Sequence, residues 1–256
     1  MTVRVDPEQN ETRALFSFVD LDGRRVLEIG CGDGRLTWQC ADRAAHVTAI
    51  EPFAPAVARA RENLPRRLAS RVTLCPIAFD EFYAATAPLG FDVAIFSWSL
   101  CCMEPDDKVP ALEQAHRLVG PGGSVVDIHP VPGTATVEVY RSGEVVFADS
   151  ASASDGEGEV QADAALAQVV ARGLFAAERR AEFDFRVYAS SPRELRDFLA
   201  EADAHSSPSD GEMRDAYQTD LYERVERITA AERTETEVAY HERVQITRLT
   251  PIGPEY

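Results

Sequence analysis

The residues that could do chemistry in this chain fall at the ends of apolar runs. Glu28 sits inside the run VLEI and is followed by Gly30, Cys31, Gly32, Asp33 and Gly34. Glycines at that spacing let a turn adopt positive φ and let a ligand approach the backbone, because no Cβ stands in the way. The helical composition from Arg35 onward places a helix N-terminus behind the turn, with unpaired N–H groups facing whatever lies in it. Glu51 directly follows the next run, HVTAI. When two such runs are neighbouring parallel strands, a carboxylate at that point reaches the hydroxyls of a ribose held by the first turn. His129 ends a later run, SVVDI. An imidazole titrates near neutral pH and could take a proton from an acceptor hydroxyl or amine. Pro130 biases His129 to an extended backbone, and its ring could equally hydrogen-bond across the turn or line a pocket.

The elements that must position these groups follow from periodicity. Residues 26–29, 46–50, 72–74, 91–96 and 124–128 read as strands, and residues 35–45, 55–63 and 106–119 between them read as helices. That alternation predicts an α/β fold with a doubly wound sheet. Beyond His129 the pattern changes. Residues 134–140 and 144–148 alternate like a hairpin across RSG, residues 162–180 read as a helix, and residues 182–189 read as a strand. SPRELRDFLAEA has a serine N-cap and a proline at the first helical position. A long helix over 213–231 and a final strand over 236–250 complete the chain, with polar breaks at 149–159 and 205–212.

The turn itself separates two kinds of nucleotide cradle. A dinucleotide fingerprint, GxGxxG, requires its third glycine where Arg35 stands. The acidic residue followed by GxGxG, Glu28 to Gly34, instead resembles motif I of the class I S-adenosylmethionine-dependent methyltransferases. FDVAIF resembles that family's fourth strand, and HRLVGPGGSVV, residues 116–126, resembles its late helix, PGG turn and strand. The resemblance covers about residues 24–129. It implies a Rossmann-like sheet of five parallel strands plus two C-terminal strands, one of them antiparallel. It also implies S-adenosyl-L-methionine as cofactor, with Gly30, Cys31 and Gly32 against its methionine part, Glu28 on its ammonium group and Glu51 on its ribose. Pro52 would wall the adenine, and Ser97 would open the loop that passes the sulfonium. Ala78 stands where the family usually carries an acidic contact to adenine, a departure from the pattern; Asp80 could substitute, and Phe79 could stack or offer its backbone N–H. The implied reaction is in-line transfer of a methyl group to an acceptor, helped mainly by alignment. Another sulfonium-using transferase, or a cofactor-binding protein without turnover, would keep the same cradle. An aminopropyl transferase would be expected to carry carboxylates where SWSLCC has none.

Bulk composition narrows the partners. The formal charge of −17 over 256 residues opposes a nucleic-acid backbone or an anionic membrane, which leaves a small-molecule acceptor as the expected partner. Five cysteines without CxxC or Cys/His spacing predict free thiols and no metal site. No run approaches the roughly 18 apolar residues of a membrane span and the N-terminus has no apolar leader core, so a soluble cytoplasmic protein is expected. Lys108 is the only lysine. A single domain over residues 1–256 is expected, with its core at 24–129 and 181–250 and lid-like insertions at 130–180 and 203–232.

Overall fold

The apolar run at 26–29 forms β2 (Arg25–Ile29), and all four of its side chains are buried. A strand buried on both faces belongs in the middle of a parallel sheet. β2 pairs in parallel with β3 (His46–Ile50) on one side and with β5 (Val93–Ser97) on the other. β3 pairs in parallel with β4 (Val72–Cys75), and β5 with β6 (Ser124–Pro130). Parallel neighbours need crossovers, and these contain α2 (Arg35–Ala41), α3 (Ala54–Asn63), α4 (Phe79–Ala85) and α5 (Pro105–Val119). The sheet order continues from β6 to β10 (Thr236–Pro251) and then β9 (Phe175–Ala189). This is the Rossmann-like α/β fold expected from the sequence. The order reverses at β2, so a crevice opens between the C-terminal ends of β2 and β5, the place where open α/β sheets bind ligands. The computed structural model describes residues 3–88, 90–151, 156–203, 211–230 and 236–253.

The chain divides into two compact units, one of residues 12–129, 158–182 and 245–256, the other of residues 1–11, 130–157 and 183–244. That partition differs from the expected one. Residues 158–180, expected in an insertion, belong to the first unit because α6 (Glu157–Ala171) buries Ala162, Ala165, Leu166 and Val169 in the same core as Leu27, Phe96, Leu112 and Leu118. Burying a leucine-sized side chain is worth about 1.5–3 kcal/mol, so this face anchors the helix. The helix expected to run to Arg180 stops at Ala171. Gly173, at φ +73°, turns the chain out of it, and β9 begins two residues later.

The second unit is mainly antiparallel. β7 (Thr136–Arg141) and β8 (Glu144–Ser150) form the expected hairpin, turning through Ser142 and Gly143, both at positive φ. β7 also lies antiparallel on β10, from Thr136↔His241 to Arg141↔Thr236. β1 (Arg4–Val5) adds to β9. At α7 (Pro192–Asp203), Ser191 Oγ accepts from the N–H of Glu194 at 3.2 Å and Glu194 Oε2 accepts from the N–H of Ser190 at 3.1 Å, a reciprocal cap. α8 (Gly211–Ala230) is the long helix expected before the last strand. The polar breaks expected at 149–159 and 205–212 fall partly on residues outside those described.

Candidate functional site

The glycine turn is tied to the end of β3 by two hydrogen bonds. The N–H groups of Gly30 and Cys31 both donate to Ile50 O, at 2.9 and 3.0 Å. Gly30 has φ +77°, and a Cβ there would stand 2.5 Å from Ser99 Cβ. Only glycine lets the loop after β5 come so near. Gly32, at φ +55°, has open space where a Cβ would project, which leaves room in front of the turn for a ligand. Its N–H donates to Glu51 Oε2 at 3.0 Å, and the N–H of Phe53 donates to Glu51 Oε1 at 2.9 Å. Two backbone donors therefore fix the Glu51 carboxylate. Its roughly four acceptor sites exceed those two bonds, so it retains capacity for ribose hydroxyls. Glu28 is buried, and its Oε2 accepts from Thr37 Oγ1 of α2 at 2.6 Å. The Cys31 thiol is held well above its ordinary value by burial first, then by the charges of Glu28, Glu51 and Asp33. The carboxylates around the turn make its field one that favours a cation.

The loop after β5 closes the other side. Ser97 is buried opposite Ile128, while Trp98 takes a left-handed φ of +59° with its N–H donating to Ile128 O at 2.8 Å. Ser99 Oγ is buried beside Gly30 and has no hydrogen-bond partner among the described residues. An orphaned hydroxyl facing a glycine cradle fits a site built for a polar ligand. The loop is held from behind by Lys108 of α5. Its ammonium donates to the carbonyls of Leu100 at 2.8 Å, Cys101 at 2.8 Å and Met103 at 2.7 Å, and the side chain is buried. Three donors meet three acceptors. Burial lowers its pKa from the ordinary lysine value, opposed by the nearby thiols, Glu159 and Asp127. Sequence reasoning missed both Ser99 and Lys108; the one signal for Lys108 was its being the sole lysine.

The adenine side is more open. Pro52 and Phe53 are exposed. Ala78 is half-buried and precedes α4. Phe79 is buried, with its ring edge-on to Phe96 at 6.0 Å, so the expected stacking role is corrected. The ring belongs to the core, and what Phe79 can offer is the N–H at the first position of a helix. Asp80 is exposed in the first turn.

His129 lies at the same sheet edge, near the end of β6, with no exposed surface. Its Nδ1 is 2.5 Å from Asp127 Oδ2, and Nε2 is hydrogen-bonded to the Gln245 amide nitrogen. Asp163 Oδ1 is 3.8 Å from Nε2. Burial alone would lower the His129 pKa, but the Asp127 bond and the charges of Asp127, Asp163 and Glu159 outweigh it and place the ring above its ordinary value. An acceptor reaches Nε2 only by displacing Gln245. Asp127 Oδ1 has no partner among the described residues. His116 bonds Ile252 O at 3.0 Å and sets its ring edge-on to Phe175 at 5.1 Å.

Comparison with known proteins bears on what this crevice serves. The family described as "Methyltransferase domain" matches residues 27–125, from β2 into β6, and so includes the turn, Glu51 and the loop after β5. Over that stretch the chain is similar to methyltransferase domains. The chain is 32% identical over 114 residues to an uncharacterized methyltransferase of Geobacillus kaustophilus, covering 44% of this chain and 50% of that protein. It is 34% identical over 131 residues to a ubiquinone biosynthesis O-methyltransferase of Aeromonas salmonicida, covering 48% of each. The chain spans about half the length of the curated relatives it matches. Its fold is shared with precorrin 8W decarboxylase of Methanobacterium thermoautotrophicum, at a TM-score of 0.54 and 14% identity over 94% of this chain and 89% of that one. A shared fold by itself does not specify the reaction. The methyltransferase match ends before His129, Asp163 and Gln245.

Proposed function

We propose that the chain transfers the methyl group of S-adenosyl-L-methionine to a small-molecule acceptor. The observation that carries this reading is the sign of the charge at the glycine turn. Glu28, Glu51 and Asp33 lie near enough to the turn to add to burial, the larger cause, in raising the Cys31 thiol, and Gly32 N–H donates to Glu51 at the turn itself. A pyrophosphate in that turn would meet carboxylates, whereas an ammonium group and a sulfonium would be attracted. When bound, S-adenosyl-L-methionine supplies a methyl group on positively charged sulfur. Glu28 receives the ammonium group, the backbone of Gly30, Cys31 and Gly32 lies along the methionine part, and Glu51 accepts from the ribose hydroxyls. Pro52, Ala78 and the Phe79 N–H border the adenine. Ser97 and Ser99 line the side where the methyl group leaves. Most of the acceleration then comes from alignment, and His129, oriented by Asp127, removes a proton from the acceptor.

A small acceptor is favoured by the net charge of −17, which repels polyanions, and by similarity to an O-methyltransferase of ubiquinone biosynthesis. Among the described residues no helix is long and apolar enough to cross a membrane, and the free cysteines fit a reducing cytoplasm. Incubating the protein with methyl-labelled cofactor and a fractionated cell extract tests the reading. Label should enter the low-molecular-weight fraction. Label confined to nucleic acid or protein would overturn the acceptor class, and cofactor binding without transfer to any fraction would leave a binding protein.

A further inference from the structure

A histidine ring flanked by a carboxylate and a side-chain amide has two possible arrangements, and the groups behind the amide choose between them. An ionised carboxylate only accepts, so Nδ1 of His129, 2.5 Å from Asp127 Oδ2, carries a proton. Towards Nε2, Gln245 could present its carbonyl to an N–H or its NH2 to a lone pair. Oxygen and nitrogen of an amide are distinguished by their other partners. Arg180 on β9 donates from Nη2 to Gln245 Oε1, and a guanidinium has no lone pair to offer an NH2 group. On the opposite side, Gln245 Nε2 donates to Asp163 Oδ1 on α6 at 2.8 Å, and a carboxylate has no proton to offer a carbonyl. Turning the amide over would set oxygen against oxygen at Asp163 and donor against donor at Arg180. The NH2 group therefore faces the ring, and Nε2 meets it with a lone pair.

We infer that Gln245 is a positioning residue that holds His129 as the neutral Nδ1–H tautomer, with Nε2 as the basic atom. The inference deepens, and rests on, the proposed reading of His129 as a base. Every charged group around the ring bears on it. Asp127 on β6, and Asp163 and Glu159 on α6, favour the imidazolium. Arg180 on β9, 3.2 Å from Asp163, offsets that carboxylate, and Lys108 on α5 lies within the field of Asp127. A base that already holds a proton cannot take one. The amide N–H is the group that counters the carboxylates at the nitrogen itself, because its bond exists only while Nε2 is unprotonated. An acceptor hydroxyl presents the same kind of donor. It would replace the amide at Nε2, and its proton would pass to the ring with Asp127 facing the resulting charge.

The test is nitrogen NMR of the full chain labelled at histidine, without cofactor. In the native protein, at a pH above the raised ring value, neutral His129 should show a protonated Nδ1 and an unprotonated Nε2. Gln245→Leu removes the opposing donor, so the proton affinity of the ring should rise about tenfold, one pKa unit. Gln245 is buried, so a second variant guards against misfolding. Arg180 is half-exposed, and Arg180→Met frees the amide to turn, so an Nε2–H population should appear. A native Nε2–H tautomer, or a ring titration unchanged or lowered in both variants, would overturn the assignment whatever the turnover. Full turnover in His129→Gln, with native ring states as described, would overturn the base reading alone.

Discussion

The two units both hold titratable groups out of water, and they do so with different partners. In the unit that carries the glycine turn, Lys108 is held by three neutral carbonyls, and His129 is hydrogen-bonded to one carboxylate and one neutral amide, with a second carboxylate, Asp163, 3.8 Å from Nε2. In the other unit charge meets charge. His241 Nδ1 lies 2.9 Å from Glu138 Oε1 and its Nε2 lies 3.0 Å from Asp184 Oδ1, so both nitrogens donate and the ring is an imidazolium. Glu138 also accepts from Tyr140 Oη at 2.5 Å and lies 3.6 Å from Arg186 Nε. The bond to Glu138 raises the His241 pKa first, with burial opposing and the Asp184 bond adding. Burial alone would raise Glu138, but bonds from His241 and Tyr140 and nearby positive charge bring it below its ordinary value. The difference separates two uses of a polar group. Neutral partners leave a lone pair or a charge uncancelled and able to act on a ligand. Ion pairs cancel, and what remains is a joint between β7, β9 and β10.

That contrast is open to measurement. Lys108→Met removes one ammonium; Leu100 O keeps the N–H of Met103, while the carbonyls of Cys101 and Met103 lose the Lys108 donor, each costing about 1–3 kcal/mol when left unsatisfied. Urea unfolding should show a loss of about 2–6 kcal/mol by that reckoning, the same at low and high salt because the partners are uncharged. A loss below about 1 kcal/mol, or one that salt abolishes, would break the comparison on the first unit's side. The effect of His241→Gln should be smaller, about 1 kcal/mol, as for a partly exposed charged cluster. Its sign with pH is fixed by the shifts. The folded His241 value lies above 6.5, so its contribution is complete below pH 6.5 and is lost as pH rises through the folded value. Glu138, lowered from 4.5, remains ionised throughout that window. Unfolding curves should therefore separate variant from native protein in mildly acid buffer and converge in alkaline buffer. A difference independent of pH would contradict the imidazolium.

Sequence made the sheet and the turn legible because both are local. The runs at 26–29, 46–50, 72–74, 91–96 and 124–128 became β2 to β6 with shifts of one or two residues. Gly30 and Gly32 take the positive φ that their spacing implied. What stayed hidden depends on distant partners. Residues 175–180, FAAERR, have helix composition and became strand because β9 is paired within the sheet, and pairing overrides propensity. Lys108 read as one more charge on a helix, since nothing local shows that Leu100, Cys101 and Met103 turn their carbonyls toward it. Gln245 acts on a ring 116 positions away. Ser99, rather than Ser97, lies against Gly30 because Trp98 takes a left-handed turn that composition does not announce.

The central claim is that the acidic glycine turn binds S-adenosyl-L-methionine, and calorimetry on the full chain tests it most directly. The native protein should bind one S-adenosyl-L-methionine per chain and bind NAD far more weakly. Glu51→Ala should weaken S-adenosyl-L-methionine by about 1.5–3 kcal/mol, the scale of hydrogen bonds to a charged group, with the fold intact by circular dichroism. Tighter binding of NAD than of S-adenosyl-L-methionine, or unchanged S-adenosyl-L-methionine affinity in Glu51→Ala, would contradict the account.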